Sequence, residues 1–108
     1  MLKLVDATTL GLSPSVLNAL RAEMAVTPQL QSACVFGSRA KGNYRLGSDI
    51  DIALFGPDLT SEQLLALENR LDDLLLPYQI DLCHVDTLQN LSLLEHIQRV
   101  GQPIYQRA

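Results

Sequence analysis

The feature that most constrains the fold is the run Asp-Ile-Asp-Ile-Ala-Leu-Phe at residues 49–55. Acidic and aliphatic side chains alternate at its start, and successive side chains of a β-strand point to opposite faces of a sheet. Ile50 and Ile52 therefore face a hydrophobic core, whereas Asp49 and Asp51 project together from the other face. The pattern predicts a half-buried strand with two neighbouring carboxylates on its polar side.

The rest of the chain carries alternating signals for helices and strands. Ser13 and Pro14 are typical of a helix start, and the residues before them are expected to be loosely structured. Thr60 and Gln63 have the spacing of a capping box at the start of another helix. The predicted order is a helix from 13, a strand over 33–36, a short helix over 38–42, the strand over 49–55, a helix over 60–76, a strand over 78–85, a helix over 88–100 and a short strand over 103–105.

This order predicts the fold class and the domain organisation. We expect one α+β domain over residues 1–108, with a small mixed sheet of three to four strands and helices packed on one face. The opposite face would stay partly open where the acids point. Hydrophobic residues make up 47% of the chain and its formal charge is −4. That charge does not favour nonspecific nucleic-acid binding, and direct sequence-specific binding is not expected either.

No apolar run approaches the length of a membrane span, and the N-terminal residues lack the pattern of a signal peptide. We therefore expect a cytoplasmic protein without a membrane partner. Cys34 and Cys83 both lie in apolar, strand-like stretches. In a cytoplasmic protein this indicates two buried thiols rather than a disulfide.

A third carboxylate, Asp81, lies between aliphatic residues of the predicted strand over 78–85. If that strand pairs beside the strand over 49–55, Asp81 shares the face of Asp49 and Asp51. Three carboxylates are costly to assemble unless they bind something positive. A two-metal site uses such a cluster, with ions roughly 3.5–4 Å apart. The alternative is that each acid is solvated at an exposed strand face, which is the better explanation for an isolated Asp-x-Asp.

Gly37 and Ser38 directly follow the first predicted strand. Glycine allows close approach of the backbone to a ligand, and a serine at a helix start adds a hydroxyl to the free N–H groups there. The pair predicts a phosphate cradle. Arg39, Lys41 and Arg45 follow within eight residues and suit a triphosphate. Solvated loop charge is the alternative, and we expect it to hold for at least one of the three.

Three further side chains have open or structural interpretations. Tyr44 precedes the acids and either stacks on a base or packs against the domain. His84 continues the third strand and His96 lies in the last helix, and both are expected to have structural or surface roles.

Taken together, these residues resemble a known family. The segment Gly-Ser-Arg-Ala-Lys-Gly at 37–42, followed by Ser-Asp-Ile-Asp-Ile at 48–52, is similar to the G-S-x-A-x-G … S-D-x-D signature of the DNA polymerase β-type nucleotidyltransferase superfamily. The resemblance covers about residues 34–85. The short chain matches the minimal nucleotidyltransferase subgroup, which implies a palm-like nucleotidyltransferase fold.

The resemblance also implies a nucleotide site. Gly37 and Ser38 would bind the β- and γ-phosphates of a nucleoside triphosphate, with ATP the expected nucleotide. Arg39, Lys41 and Ser48 would also contact the nucleotide. The α-phosphorus would be attacked and pyrophosphate would leave, so that a nucleotide is joined to the acceptor.

The implied catalytic residues are the three acids. Asp49 and Asp51 would ligate two Mg²⁺ ions. Asp81 would ligate the catalytic ion and help to deprotonate the attacking hydroxyl. In physical terms such a protein supplies positioning and charge stabilisation for a phosphoryl centre.

The resemblance extends to a partner. Unlike larger members of the superfamily, this chain is expected to lack an acceptor-binding domain after the core. Minimal members are typically paired with a small helical protein of the HEPN type. In some pairs the HEPN protein is a toxic ribonuclease and the nucleotidyltransferase is its antitoxin, which adds AMP to a toxin tyrosine. The implied function is nucleotidyl transfer to such a partner. The alternatives are a non-catalytic module that neutralises or scaffolds a helical partner and, less favoured, transfer to a small molecule.

Overall fold

The computed structural model describes residues 3–107. Four α-helices and four β-strands alternate with two short 3₁₀ helices at Ala7–Leu10 and Val85–Thr87. The main elements are α1 Pro14–Ala25, β1 Ser32–Phe36, α2 Gly37–Lys41, β2 Ile50–Phe55, α3 Ser61–Asp73, β3 Ile80–His84, α4 Leu91–Val100 and β4 Gln102–Gln106.

The four strands form one mixed sheet in the order β3-β2-β1-β4. β1 runs antiparallel to both β2 and β4, whereas β2 and β3 are parallel. In this register Asp51 lies opposite Phe36 on one side and Asp81 on the other. The predicted α+β class with a small mixed sheet is confirmed, and the short terminal strand is its fourth member.

Two of the predicted helix starts have the expected caps. The Oγ of Ser13 accepts a hydrogen bond from the Val16 N–H, and Pro14 occupies the first turn. Thr60 and Gln63 form a reciprocal capping box at the start of α3. These caps satisfy backbone N–H groups that a helix leaves without partners at its start.

One face of the sheet is covered by α1 and α3. The side chains of Ile50 and Ile52 are fully buried there, as the alternation of β2 predicts. They belong to the main hydrophobic core with residues from both helices, from β1 and from β4. The other buried residues of this core include Leu17, Leu20, Met24, Leu67, Leu71, Val35 and Ile104.

The opposite face is covered in part by α4. The prediction that the helices pack on one face therefore holds for α1 and α3 but not for α4. Ile97 of α4 is buried against Cys34 and Ala53, and Phe36 and Phe55 pack around this second cluster. The physical reason is that β1 and β2 place apolar side chains on this face too, and these need cover from water. The acidic end of the face adjoins this apolar part.

The segment before α1 is ordered over its described part, in contrast to the prediction of loose structure. Ala7, Leu10 and Leu12 are buried in the main core. Arg21 fastens the segment to the sheet, because its guanidinium donates to the carbonyl of Val5 and to that of Ile104. Such contacts join residues far apart in sequence and carry no local pattern. Residues 1 and 2 lie outside the described range.

Both cysteines are free thiols, as predicted; Cys34 is buried and Cys83 is half-buried. Burial, with a smaller effect of Cys83, raises the pKa of Cys34 to about 11. Within residues 3–107, none of the helices combines the length and the apolar character needed to cross a membrane.

The packing of α4 gives a test of the second cluster. Ile97 is 3% exposed, whereas Leu91 in the same helix is 78% exposed. Ile97→Ala should lower the free energy of unfolding by about 2–4 kcal/mol, because it leaves a cavity under α4. Leu91→Ala is the matched control and should change it by less than about 0.5 kcal/mol. Urea unfolding measures both. Equal small effects would show that α4 does not cover this face.

Candidate active site

The start of α2 lies directly against the acids. β1 ends at Phe36 and α2 begins at Gly37, with no linker between them. Gly37 has φ +74°, and a Cβ placed there would collide with the Asp51 carboxylate. Glycine is therefore required twice, for its backbone conformation and for the close approach. This contact joins the predicted phosphate cradle to the predicted metal ligands.

Ser38 does not cap α2, contrary to prediction. The residue before the helix is Phe36, which has extended backbone and makes no side-chain cap hydrogen bond. Ser38 instead lies in the first turn, half-buried. Gly42 ends this helix in the left-handed conformation, as predicted.

The three acids lie close together at this end of the sheet. Asp51 and Asp81 are direct neighbours on the parallel strands β2 and β3. Asp49 is exposed and lies just before the first residue of β2, rather than within the strand as predicted. Gln79, two residues from Asp81, donates from its side-chain amide to the Asp81 carboxylate at 3.1 Å.

The environment of Asp51 favours its protonated form. Burial is the largest cause that raises its pKa; the charges of Asp81 and Asp49 and a side-chain hydrogen bond with Asp81 add to it. His96 acts in the opposite direction. An ionised Asp51 is therefore held at an electrostatic cost that a cation would remove.

The donor set fits a hard divalent cation by its chemistry. Mg²⁺ prefers oxygen ligands and usually combines one or two carboxylates with waters and substrate phosphates. As the side chains stand, residues 3–107 contain no group of three Asp, Glu, His or Cys residues arranged around one point. Asp51 and Asp81 are direct neighbours on adjacent strands, and the charge of Asp49 also raises the pKa of Asp51, after burial and the charge of Asp81.

Arg39 is placed differently from the prediction that it contacts the nucleotide. Its side chain is 2% exposed. Its guanidinium donates to the carbonyls of Leu10 at 2.9 Å and Gly11 at 3.3 Å. It donates twice to the carbonyl of Ser48, at 2.9 and 3.2 Å. These backbone carbonyls occupy the guanidinium N–H groups that would otherwise bind a phosphate.

Two aromatic rings pack against the same guanidinium. The Arg39 Cζ lies 5.2 Å from the ring centre of Tyr44 and 4.8 Å from that of Tyr78. Tyr44 also fills the space beside Gly11, where any added Cβ would collide with its ring. Of the two interpretations of Tyr44, packing against the domain is the one that the structure shows.

The loop before β2 is ordered by Ser48. Its Oγ accepts a hydrogen bond from the Arg45 N–H at 2.8 Å, while its carbonyl accepts from Arg39. The contact between Ser48 and the nucleotide stays a prediction. The side chains of Lys41 and Arg45 are exposed beside this loop, so they are the two predicted cations that solvent-borne phosphates can reach.

The structure brings His96 to the site, which sequence reasoning missed. Its ring makes an edge contact with Phe36, with 6.1 Å between ring centres, and its charge lowers the pKa of Asp51. No local pattern could have found it, because it depends on the face that α4 covers. Gln79 could have been found, since residues two apart in a strand share a face. His84 has the expected structural role, with its Nε2 2.8 Å from the Gly56 carbonyl oxygen.

Comparison with known proteins identifies the family. Residues 18–108 match the family model described as polymerase beta, nucleotidyltransferase. The chain therefore belongs to the polymerase β nucleotidyltransferase family. No significant match was found among curated proteins.

Several solved structures share the fold. A toxin–antitoxin complex with AMP-PNP has a chain 25% identical to this one, with a TM-score of 0.69 and coverage of 84% of this chain and 73% of that one. A complex of tri-AMPylated Shewanella oneidensis HEPN toxin with MNT antitoxin is 22% identical, with a TM-score of 0.65 and coverage of 86% and 71%. An MntA–HepT toxin–antitoxin complex is also 22% identical, with a TM-score of 0.65 and coverage of 88% and 74%.

Gly37 and Gly42 form a matched pair for testing the contact with Asp51. Both have positive φ, but a Cβ meets the Asp51 carboxylate only at residue 37 and meets nothing within 4 Å at residue 42. Gly42→Ala should cost about 1–2 kcal/mol from backbone strain alone. Gly37→Ala should cost on the order of 1 kcal/mol more, because the carboxylate must rotate away.

A double-mutant cycle isolates this excess. In an Asp51→Ala background the oxygen that collides is gone, so the extra cost of Gly37→Ala should disappear. Urea unfolding of wild type, the two single variants and the double variant measures it. An excess that persists in that background would mean that the close approach to Asp51 is not its cause.

The raised pKa of Asp51 predicts a pH dependence. The folded state prefers protonated Asp51, so this carboxyl supports stability below its unfolded pKa, and that support is lost as pH rises through its folded pKa. Asp51→Asn should therefore gain stability relative to wild type as the pH rises from about 3 to about 7. Chemical unfolding at both pH values checks this, with exposed Glu68→Gln as control. A gain that is equal at both pH values would contradict ionisation of Asp51 as its cause.

Proposed function

We propose that this chain is a divalent-metal-dependent nucleotidyltransferase that moves AMP from ATP onto a hydroxyl of a partner protein. The observation that carries the proposal is one juxtaposition. Gly37, at the start of α2, lies against the Asp51 carboxylate on β2, and Asp51 lies beside Asp81 on β3. The family's phosphate-binding and acidic elements thus meet at one end of the sheet. Family membership supports nucleotidyl transfer as the chemistry.

The acids would hold the metal. Asp49 and Asp51 would bind two Mg²⁺ ions, and Asp81 would share one of them. When bound, such ions neutralise charge on the phosphates and on the attacking and leaving oxygens. Burial and, after it, the charges of Asp81 and Asp49 raise the pKa of Asp51, and a bound cation would favour the ionised carboxylate against both effects.

The chain's own residues then orient the substrates. The first turn of α2, at Gly37 and Ser38, would hold the terminal phosphates with its free N–H groups. Lys41 and Arg45 are exposed and would add positive charge beside them. Asp81 would accept the proton of the attacking hydroxyl. The hydroxyl oxygen bonds to the α-phosphorus, and the bond from that phosphorus to the bridging oxygen breaks, releasing pyrophosphate.

A HEPN-type protein is the proposed partner and acceptor. The solved structures with this fold include complexes of MNT antitoxin with HEPN toxin, one of them tri-AMPylated, and a toxin–antitoxin complex with AMP-PNP. These complexes support ATP as the nucleotide, the toxin as the acceptor and an antitoxin role for this chain. We place the reaction in the cytoplasm, where ATP is available and the free thiols of Cys34 and Cys83 stay reduced.

The proposal is tested by replacing the two metal-binding acids together. With labelled ATP, Mg²⁺ and a HEPN-type protein from the same cells, wild type should transfer one or more AMP groups, detected by intact-mass spectrometry. The Asp49→Asn, Asp51→Asn double variant should lose about 10³-fold or more in rate, and chelation of the metal should do the same. Asp58→Asn, in the exposed turn after β2, is the matched control and should keep activity.

The same experiment separates catalysis from neutralisation by contact. If wild type transfers no nucleotide and the double variant still neutralises the partner undiminished, the enzymatic proposal fails. Transfer to a small molecule, with the partner left unmodified, would contradict the proposed acceptor.

A further inference from the structure

The burial of Arg39 needs an explanation in a chain of this size. A guanidinium removed from water is costly unless its donors are satisfied. Arg39 meets this condition with carbonyl acceptors and ring faces. Among residues 3–107 it has no carboxylate within salt-bridge distance. An ion pair therefore does not account for its position.

The partners of Arg39 belong to the segments that build the site. Ser48, which accepts two of its hydrogen bonds, immediately precedes Asp49. Tyr78, which packs on its guanidinium, lies two residues before β3 and three before Asp81. Arg39 itself follows Ser38 in α2. The Arg39 side chain thus extends from α2 and contacts the residues that precede β2 and β3, the strands in or next to which the three acids lie.

The remaining partners anchor this assembly to the body of the domain. The carbonyls of Leu10 and Gly11 end the first 3₁₀ helix, and Leu10 is fully buried. The Tyr44 ring also packs against the guanidinium and lies beside Gly11. Arg39 therefore contacts the loop over residues 43–48 near its start, at Tyr44, and at its end, at Ser48.

We propose that Arg39 is a positioning residue, which fixes the Ser48 carbonyl and thereby the place of Asp49 relative to Asp51 and the start of α2. It acts without touching the nucleotide. The inference rests on the proposed nucleotidyl transfer for its kinetic consequence, but its structural content stands on the hydrogen bonds alone. Arginine spreads five N–H donors over three nitrogens in a fixed planar fork, whereas lysine carries three donors on one nitrogen at the end of a flexible stem. Lysine should therefore not reproduce these hydrogen bonds and ring contacts.

Two variants test the inference, with one matched control. Arg39→Lys keeps the charge and removes the fork. Tyr78→Leu keeps Arg39 and its hydrogen bonds but removes one ring from the guanidinium. It tests the inference if Arg39→Lys does not fold. Arg21→Lys is the control, because Arg21 also bridges two carbonyls, those of Val5 and Ile104, which lie outside the site.

The kinetic result expected is a loss in kcat rather than in ATP binding. A displacement of about 1 Å in a catalytic group can cost about 10²-fold. Arg39→Lys should therefore lower kcat for transfer by about 10²-fold while the KM for ATP stays within about 3-fold. Tyr78→Leu should change kcat in the same direction by about 10-fold, and Arg21→Lys should leave both parameters near wild type.

Amide hydrogen exchange gives a readout that needs no activity. The N–H of Ser48 donates to Arg45, and that of Val5 donates to Pro103, so both amides are protected in the folded chain. Arg39→Lys should speed exchange at Ser48 at least about 10-fold and leave Val5 unchanged. Arg21→Lys should do the reverse.

Three outcomes would overturn the inference. A rise in the KM for ATP at unchanged kcat would make Arg39 a nucleotide contact. Equal losses of kcat in Arg39→Lys and Arg21→Lys would give it only a general role in stability. Unchanged exchange at Ser48 would show that it does not hold the loop. If wild type shows no transfer, the proposed function fails, and the exchange measurement still decides whether Arg39 fixes the loop.

Discussion

The buried guanidinium of Arg39 is the interaction on which the arrangement of the site depends. It ties the end of the first 3₁₀ helix, the loop before β2 and the approach to β3 to the short helix α2. The same device recurs elsewhere, since Arg21 and Arg107 also donate to carbonyls of distant segments. A small domain buries a modest core, so directed hydrogen bonds of this kind hold irregular segments that have few apolar contacts of their own.

The site combines close approach with charge repulsion. Gly37 permits α2 to begin against Asp51, and parallel pairing of β2 with β3 sets Asp81 beside it. The resulting carboxylates repel one another, which adds to the effect of burial in raising the pKa of Asp51. A fold that keeps such a cluster at an accessible end of its sheet is suited to cations and to the phosphates that accompany them. Membership of the nucleotidyltransferase family is consistent with such a site.

Much of this organisation was predictable from local patterns. The alternation at residues 49–55 identified the core face of β2, and the capping residues at Ser13 and Thr60 marked two helix starts. The place of Asp81 followed from the same alternation once its strand was assumed to pair with β2. Other features had no local signal. The alternation predicts Asp49 within the strand, whereas β2 begins one residue later at Ile50, because strand ends depend on which pairing partner is available.

The sequence by itself determined the class of fold and the family motif, because periodicity and short motifs encode these locally. The tertiary structure decided what each charged or aromatic side chain does. It buried Arg39 instead of presenting it to phosphate, packed Tyr44 against the domain and brought His96 beside the acids. These outcomes depend on contacts between segments that are distant in sequence. An arginine next to a phosphate-binding motif has the same local pattern whether its donors meet a ligand or the carbonyls of a segment far along the chain.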